Sequence, residues 1–324
     1  MKLFDEGNRI GLGGAPLAGL FSPVAEAEAV ATVQAAWDEG WRYFDTAPHY
    51  GLGLAEERLG AGLAGKPRSE YVLSSKVGRV IYEADTPEPD SEGFAVVTNR
   101  RRRWDFSRDG VLQSIEDSLR RLGTDRLDVV FVHDPDDHYE EAVATAFPTL
   151  IELRDQGVIG AIGSGMNQTA MLTRFVREVD IDVIMLAGRY TLLDPDGLDN
   201  VLPACLEHDV QVIAVGVFNS GLLSQPRPAA DATFNYAPAP PSLIDRANKL
   251  ADVCESHGVT LPAVALKFPL AHPAVAGIAV GCRTADEVHT NAALARTEVP
   301  DTLWSELKAE GLLREDAPAG RHRP

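Results

Sequence analysis

Short runs dense in β-branched and aromatic residues recur along this chain, each followed by a longer run with apolar residues at helical spacing. The strand-like runs are residues 9–12, 42–45, 71–75, 128–133, 158–163, 183–186, 211–215 and 275–280. The helix-like runs are 24–38, 54–63, 108–122, 139–156, 168–177, 197–208, 242–257 and 284–295. Alternation of this kind implies parallel strands joined by right-handed crossovers. Eight units with no break in composition favour a closed (β/α)₈ TIM barrel over an open doubly wound sheet, with long loops at its C-terminal face and residues 1–313 as one domain.

Punctuation residues agree with these borders. Ser107 is placed to cap 108–122, which ends on Arg121-Leu-Gly123, a basic last turn and a glycine stop; Gly157 and Gly258 close two further helices. Two connections are too long for ordinary βα loops. Residues 77–106 are expected to form a substrate-facing lid, and 218–241, rich in Pro and Ala, to fold over a cofactor. A short helix over 301–313 carries Leu303, Trp304, Leu307 and Leu312 as its apolar stripe. The polar tail 314–324 is expected to fray.

Composition narrows the function classes. With 324 residues and 45% apolar content, the chain can bury a large core. A net charge of −18 argues against nucleic acid as a partner, and an anionic ligand would need a locally positive niche. Cys205, Cys254 and Cys282 lie far apart with no zinc or disulfide spacing, as in a cytoplasmic protein with reduced thiols. The amino terminus turns acidic after three positions and no run of eighteen apolar residues occurs, so neither export nor membrane insertion is expected.

Four polar residues stand at or just beyond the carboxyl ends of strand-like runs: Asp45 and Tyr50 after the second, Lys76 after the third and His133 on the fourth. In a parallel barrel those ends share one face, so the four side chains can converge on one reacting atom. A tyrosine hydroxyl ordinarily titrates at about pH 10, so it serves as an acid or base near neutrality only when its anion is stabilised. The ammonium of Lys76 does this, Asp45 holds the ammonium, and neutral His133 orients a substrate oxygen. Taken singly, each residue reads more simply as packing or as a surface group; their joint placement carries the catalytic reading.

Other motifs fall away. Gly60 to Lys66 nearly spells a phosphate loop, but Pro67 stands where Ser or Thr is needed. Gly11-Leu-Gly-Gly14 lacks the third fingerprint glycine. The stretch from His133 to Glu141 is dense in metal-ligand types, yet reads as a loop and an acidic first helical turn, so no metal is expected. Residues 99–104, Asn-Arg-Arg-Arg-Arg-Trp, form a basic cluster inside the lid, with Trp104 placed to wall a substrate pocket.

The run Phe44-Asp-Thr-Ala-Pro-His-Tyr-Gly51 resembles the signature of the aldo-keto reductase superfamily, as do Ser75-Lys-Val-Gly78, Ser114 to Gly123 leading into Asp128 to Pro135, Gly157 to Gly163, and Gly281 to Asn291. The resemblance covers nearly the whole chain and implies a TIM barrel that moves hydride to or from a nicotinamide. It assigns the tetrad to Asp45, Tyr50, Lys76 and His133, with Tyr50 as general acid or base. The chain looks most like bacterial aldose 1-dehydrogenases of the L-fucose or D-threo-aldose type and their pyridoxal-oxidising relatives, on Trp104 to Arg108, Ala187 to Leu193 and Gly216 to Leu223. The resemblance further implies nicotinamide contacts at Ser164, Asn167 and Phe218. Pyrophosphate contacts fall to backbone amides of Phe218, Asn219, Ser220, Gly221 and Leu223, and adenosine contacts to Gly281, Arg283, Glu287 and Asn291.

His49, Trp104 and Tyr190 are the expected substrate-binding residues. Glycine and glutamate stand at 281 and 287, where NADP-binding members carry lysine and arginine. NAD is therefore the favoured cofactor, with NADP left open by Arg283. An NADPH-dependent aldehyde or ketone reductase, a pyridoxal dehydrogenase and a non-catalytic cofactor-binding subunit are the alternatives.

Overall fold

The computed structural model describes residues 1–5, 7–235 and 237–320. Among them, eight parallel strands close into the expected barrel: Ile10–Gly13, Tyr43–Asp45, Val72–Val77, Val129–His133, Ala161–Met166, Val183–Ala187, Gln211–Val215 and Val275–Gly281. Each pairs with its chain neighbours, and the last closes onto the first through Ile10 to Gly13 against Ile278 to Gly281. The fifth strand starts later than its sequence pattern, at Ala161, because Gly157, with φ of +72°, and the residues after it turn the chain out of the preceding helix.

Side-chain alternation sorts the strands into two cores. Tyr43, Val129, Phe131, Ala161, Val183, Met185, Ile213 and Ala279 fill the barrel interior, and Leu3 and Phe4 plug its base, the Phe4 ring stacked on Tyr43 at 4.7 Å. At Gly11 an added Cβ would lie 2.5 Å from the Tyr43 carbonyl oxygen, so only glycine admits that tyrosine. The outward residues, such as Val130 and Val132, meet the helix ring. Ser107 caps Arg108–Leu122 by accepting from the Gly110 amide, and Gly123 ends it in the left-handed conformation.

Three segments depart from the sequence pattern. The expected lid is an antiparallel hairpin, Arg79–Pro89 with Val97–Trp104, in which the arginine run pairs against acidic residues: Arg100 with Glu57 and Arg101 with Glu88. Charged residues and prolines hid its strand character. Helix Leu261–Leu270, unforeseen because it is apolar on nearly every side and contains Pro262 and Pro269, packs between Ala285–Arg296 and the eighth strand. The tail does not fray from 314. Arg314 bonds Asp199 at 2.5 Å and Asp316 at 2.6 Å, and Ala317 is buried; residues 321–324 lie outside the described residues. Among the described residues, no helix is long and apolar enough to cross a membrane.

Candidate active site

Alternation along the strands places the chemistry. Asp45 lies two residues beyond inward Tyr43, and His133 two beyond inward Phe131. Lys76 follows Val72 and Ser74 on the inner face of the third strand. All three therefore stand at the carboxyl end of the cylinder, where the turn after the second strand adds Tyr50.

The lysine is the hub. Its Nζ donates to both Asp45 oxygens, at 2.7 and 2.9 Å, and to the Thr46 carbonyl at 2.8 Å, and it sits 4.7 Å from the centroid of the Tyr50 ring. Only 2% of Lys76 is exposed, so this ion pair is shielded from solvent. Ser74 Oγ donates to Asp45 Oδ1 at 2.7 Å while accepting from the Tyr43 hydroxyl at 2.8 Å, fixing the carboxylate from behind. Burial raises the pKa of Asp45, with Lys76 and Ser74 pulling it back. The His133 ring stands edge-on to Tyr50 at 5.7 Å, and burial, then Lys76 and Arg79, hold it well below its ordinary pKa. It is a neutral imidazole, able to donate one hydrogen bond to a substrate oxygen.

The hairpin supplies the outer wall. Phe94, at its turn, packs against His49 at 5.5 Å and Tyr50 at 6.0 Å. Trp104, at its base, is 44% exposed and stacks on Phe106, and the Arg79 guanidinium lies 4.2 Å above the indole. His49 touches His133 at 5.5 Å, and its Nδ1 accepts from Arg79 at 2.8 Å and Arg102 at 3.0 Å. Burial and these cations push its pKa down to about 2. Phe94, Arg79 and Arg102 were not singled out by the sequence; a lone phenylalanine in the polar run Ser91-Glu-Gly-Phe94 was the available signal.

Two neutral histidines make stability depend on pH. Both ionise at about 6.5 when unfolded and far lower in the fold, so the unfolded chain takes up more protons as pH falls. Their stabilisation is complete above about 6.5 and is lost below it, at about 1.4 kcal/mol per pH unit for each. Asp134, whose burial lifts it to about 6, offsets part of this loss at lower pH. We expect His49→Asn to have a stability slope shallower than the parent by about 1.4 kcal/mol per pH unit in urea titrations between pH 6.5 and 5; equal slopes would contradict the neutral assignment.

The expected cofactor residues divide. Asn167 and Gly281 are exposed at the carboxyl ends of the fifth and eighth strands, and Phe218 is half-buried after the seventh. Ser164 is buried, with Oγ donating to the Val132 carbonyl at 3.0 Å. Part of the amide cradle expected over 218–223 is already engaged. The amides of Asn219, Gly221, Leu222 and Leu223 donate to carbonyls within the same turn, and the Leu223 side chain belongs to the core. What the turn offers instead is a buried Asn219 side chain, whose Oδ1 has no partner while Nδ2 donates to Gly188 at 3.4 Å. An orphaned acceptor among left-handed residues at 219, 220 and 221 fits an incoming N–H or hydroxyl.

At the adenosine end, Arg283 donates to Ser22 at 2.7 Å. Glu287 caps its helix by accepting from the Arg283 amide at 2.8 Å, and Asn291 turns inward to Cys282. Tyr190 is not a wall of the substrate pocket: it is 1% exposed and packs on Phe268 at 4.9 Å and His272 at 5.5 Å. Among the described residues, no cluster of metal-ligating side chains forms.

A closed barrel whose carboxyl-end rim buries an Asp–Lys pair against a tyrosine ring has the parts for proton transfer on a small molecule. The chain belongs to the aldo/keto reductase family, whose sequence profile matches residues 9–310. It is 45% identical over 309 residues to a D-threo-aldose 1-dehydrogenase of a Pseudomonas species, covering 94% of each chain. To the pyridoxal 4-dehydrogenase of Microbacterium luteolum it is 39% identical, again over 94% of each. Among solved structures, the holo form of an aldo-keto reductase from Bacillus halodurans superimposes with a TM-score of 0.71 at 26% identity, over 96% of this chain and 95% of that one.

Proposed function

We propose that the protein oxidises an aldose of the L-fucose or D-threo type at C1, giving the lactone, with NAD as the acceptor. The observation that carries this reading is the buried ammonium of Lys76, held by Asp45 against the ring of Tyr50 beside a neutral imidazole. The aldose dehydrogenase named above, similar along almost the whole chain, supports the substrate class.

Tyr50, as the phenolate that the Lys76 ammonium stabilises, takes the proton of the anomeric hydroxyl and becomes the neutral phenol as the hydride leaves C1. His133 donates to the reacting oxygen and fixes its direction. Asp45 keeps the ammonium charged and in place. When bound, the nicotinamide would supply the hydride acceptor; in this reading Ser164, Asn167, Phe218 and Asn219 would hold its ring, and Ser220, Gly221, Gly281, Arg283, Glu287 and Asn291 the remainder. The three cysteines are buried, as suits reduced thiols of a cytoplasmic enzyme.

Two features favour NAD. An added Cβ at Gly281 would lie 2.8 Å from Pro16 Cγ, which leaves no room for a phosphate-binding side chain, and the Glu287 carboxylate repels a 2′-phosphate. Glu287→Arg is expected to shift the ratio of NAD to NADP dissociation constants at least about tenfold towards NADP, about 1.4 kcal/mol, as read by nucleotide fluorescence titration. An unchanged ratio would refute this reading of residue 287.

The substrate is tested by following formation of reduced nicotinamide with L-fucose, D-arabinose, D-galactose, pyridoxal and simple aldehydes, with each nucleotide. Oxidation of the aldoses supports the proposal. Turnover of pyridoxal alone would favour the second reading, for which the 39% identical relative speaks; nucleotide binding without any turnover would favour a regulatory subunit.

A further inference from the structure

The outer wall contains a polar assembly that proton transfer does not require. Arg79 is 8% exposed, yet its Nε has no partner. Its Nη2 donates to Asp134 Oδ2 at 2.9 Å, and Nη1 reaches His49. Arg102 approaches the same imidazole from the opposite hairpin strand and is paired with Asp90. Two like charges are thus brought onto one ring nitrogen beside the tetrad, each with its own carboxylate. Asp134 directly follows His133 and is held at a φ of +43°, a left-handed conformation unusual for a side chain-bearing residue. The indole of Trp104 lies under the Arg79 guanidinium and stacks on Phe106, which backs the arginine.

A guanidinium beside a carboxylate presents donors and acceptors side by side, and each hydroxyl of a sugar both donates and accepts. A simple anion is poorly served here, because both cations already have carboxylate partners.

We propose that Arg79 and Asp134 form a hydroxyl-reading subsite that selects polyhydroxylated substrates by contacting the carbon chain beyond the reacting centre, with the Trp104 indole fixing the plane of the guanidinium. The proposal rests on the reading that the substrate is an aldose and adds the residues that enforce it. It makes Arg79 a specificity determinant held by His49 and the hairpin, since the bond Arg79 leaves unmade is the one a substrate hydroxyl accepts.

The test compares kcat/KM of parent, Arg79→Gln and Arg79→Lys for L-fucose, for its 2-deoxy and 4-deoxy analogues, and for propanal reduced with NADH. The expected result is a fall of about 10- to 100-fold in the ratio of aldose to propanal efficiency for Arg79→Gln, with partial recovery in Arg79→Lys. One deoxy analogue, already poor for the parent, should show no such further fall in the variant. Equal losses on all substrates would mean that Arg79 only supports the fold, and an unchanged ratio would mean that it reads nothing; either overturns the proposal. If Arg79→Gln does not fold, Asp134→Asn must reproduce the same selective loss, and a uniform effect there overturns the proposal equally. Failure of the parent to oxidise any aldose would instead defeat the substrate reading.

Discussion

Tyr50→Phe is expected to lower kcat by about 10²- to 10⁴-fold while leaving nucleotide affinity and melting temperature close to those of the parent. Only the hydroxyl is removed. The ring keeps its contacts with His49, Phe94 and His133 and its place over the Lys76 ammonium, so packing is preserved. The loss should appear equally in kcat and kcat/KM, as when an interaction made only in the transition state is deleted. Steady-state kinetics and nucleotide titration on one preparation separate the two effects. A variant retaining more than about a tenth of parental turnover would remove Tyr50 from the proton-transfer role.

The second large effect concerns stability and activity together. Lys76→Met leaves the Asp45 carboxylate buried without its cation, and breaking a buried pair from one side costs about 3–5 kcal/mol. Adding Asp45→Asn should recover most of that stability, because neither partner is then charged, while turnover stays lost in both the single and the double variant. Urea midpoints and kcat values for the three variants complete the cycle. Additive stability losses would show that the two groups do not depend on one another, and recovery of turnover would show that the ammonium is dispensable.

Much of this architecture was legible before any coordinates, for identifiable reasons. The eight strands are short apolar runs in a parallel sheet covered on both sides, where burial is continuous and the pattern strong. The convergence of Asp45, Lys76 and His133 was legible because period-two alternation carries them to one rim once the strands are aligned. The hairpin was not. Its stabilising contacts are cross-strand ion pairs and returns to the barrel rim through Phe94 and Arg100, and neither leaves an apolar period in the sequence. Helix Leu261–Leu270 escaped because burial around most of its circumference erases amphipathic periodicity.

Tyr190 was misplaced for a related reason: an aromatic just past a strand end serves the pocket or the helix ring equally well, and here Phe268 and His272 claim it. Of the amide cradle expected over 218–223, the N–H groups of Asn219, Gly221 and Leu223 are spent inside the turn, which only the hydrogen bonds reveal. Arg79 and Arg102 stood inside a segment read as a lid, where their convergence on His49 depends on the hairpin register.

The central claim is that this site moves a hydride from the carbon whose hydroxyl Tyr50 deprotonates. L-Fucose carrying deuterium at C1, incubated with NAD and the enzyme, tests it by mass spectrometry of the reduced nucleotide. The label should arrive on the nicotinamide ring with the parent enzyme, and with Tyr50→Phe no more than about a hundredth as fast. Label found in water during turnover, or transferred equally by the two proteins, would contradict it.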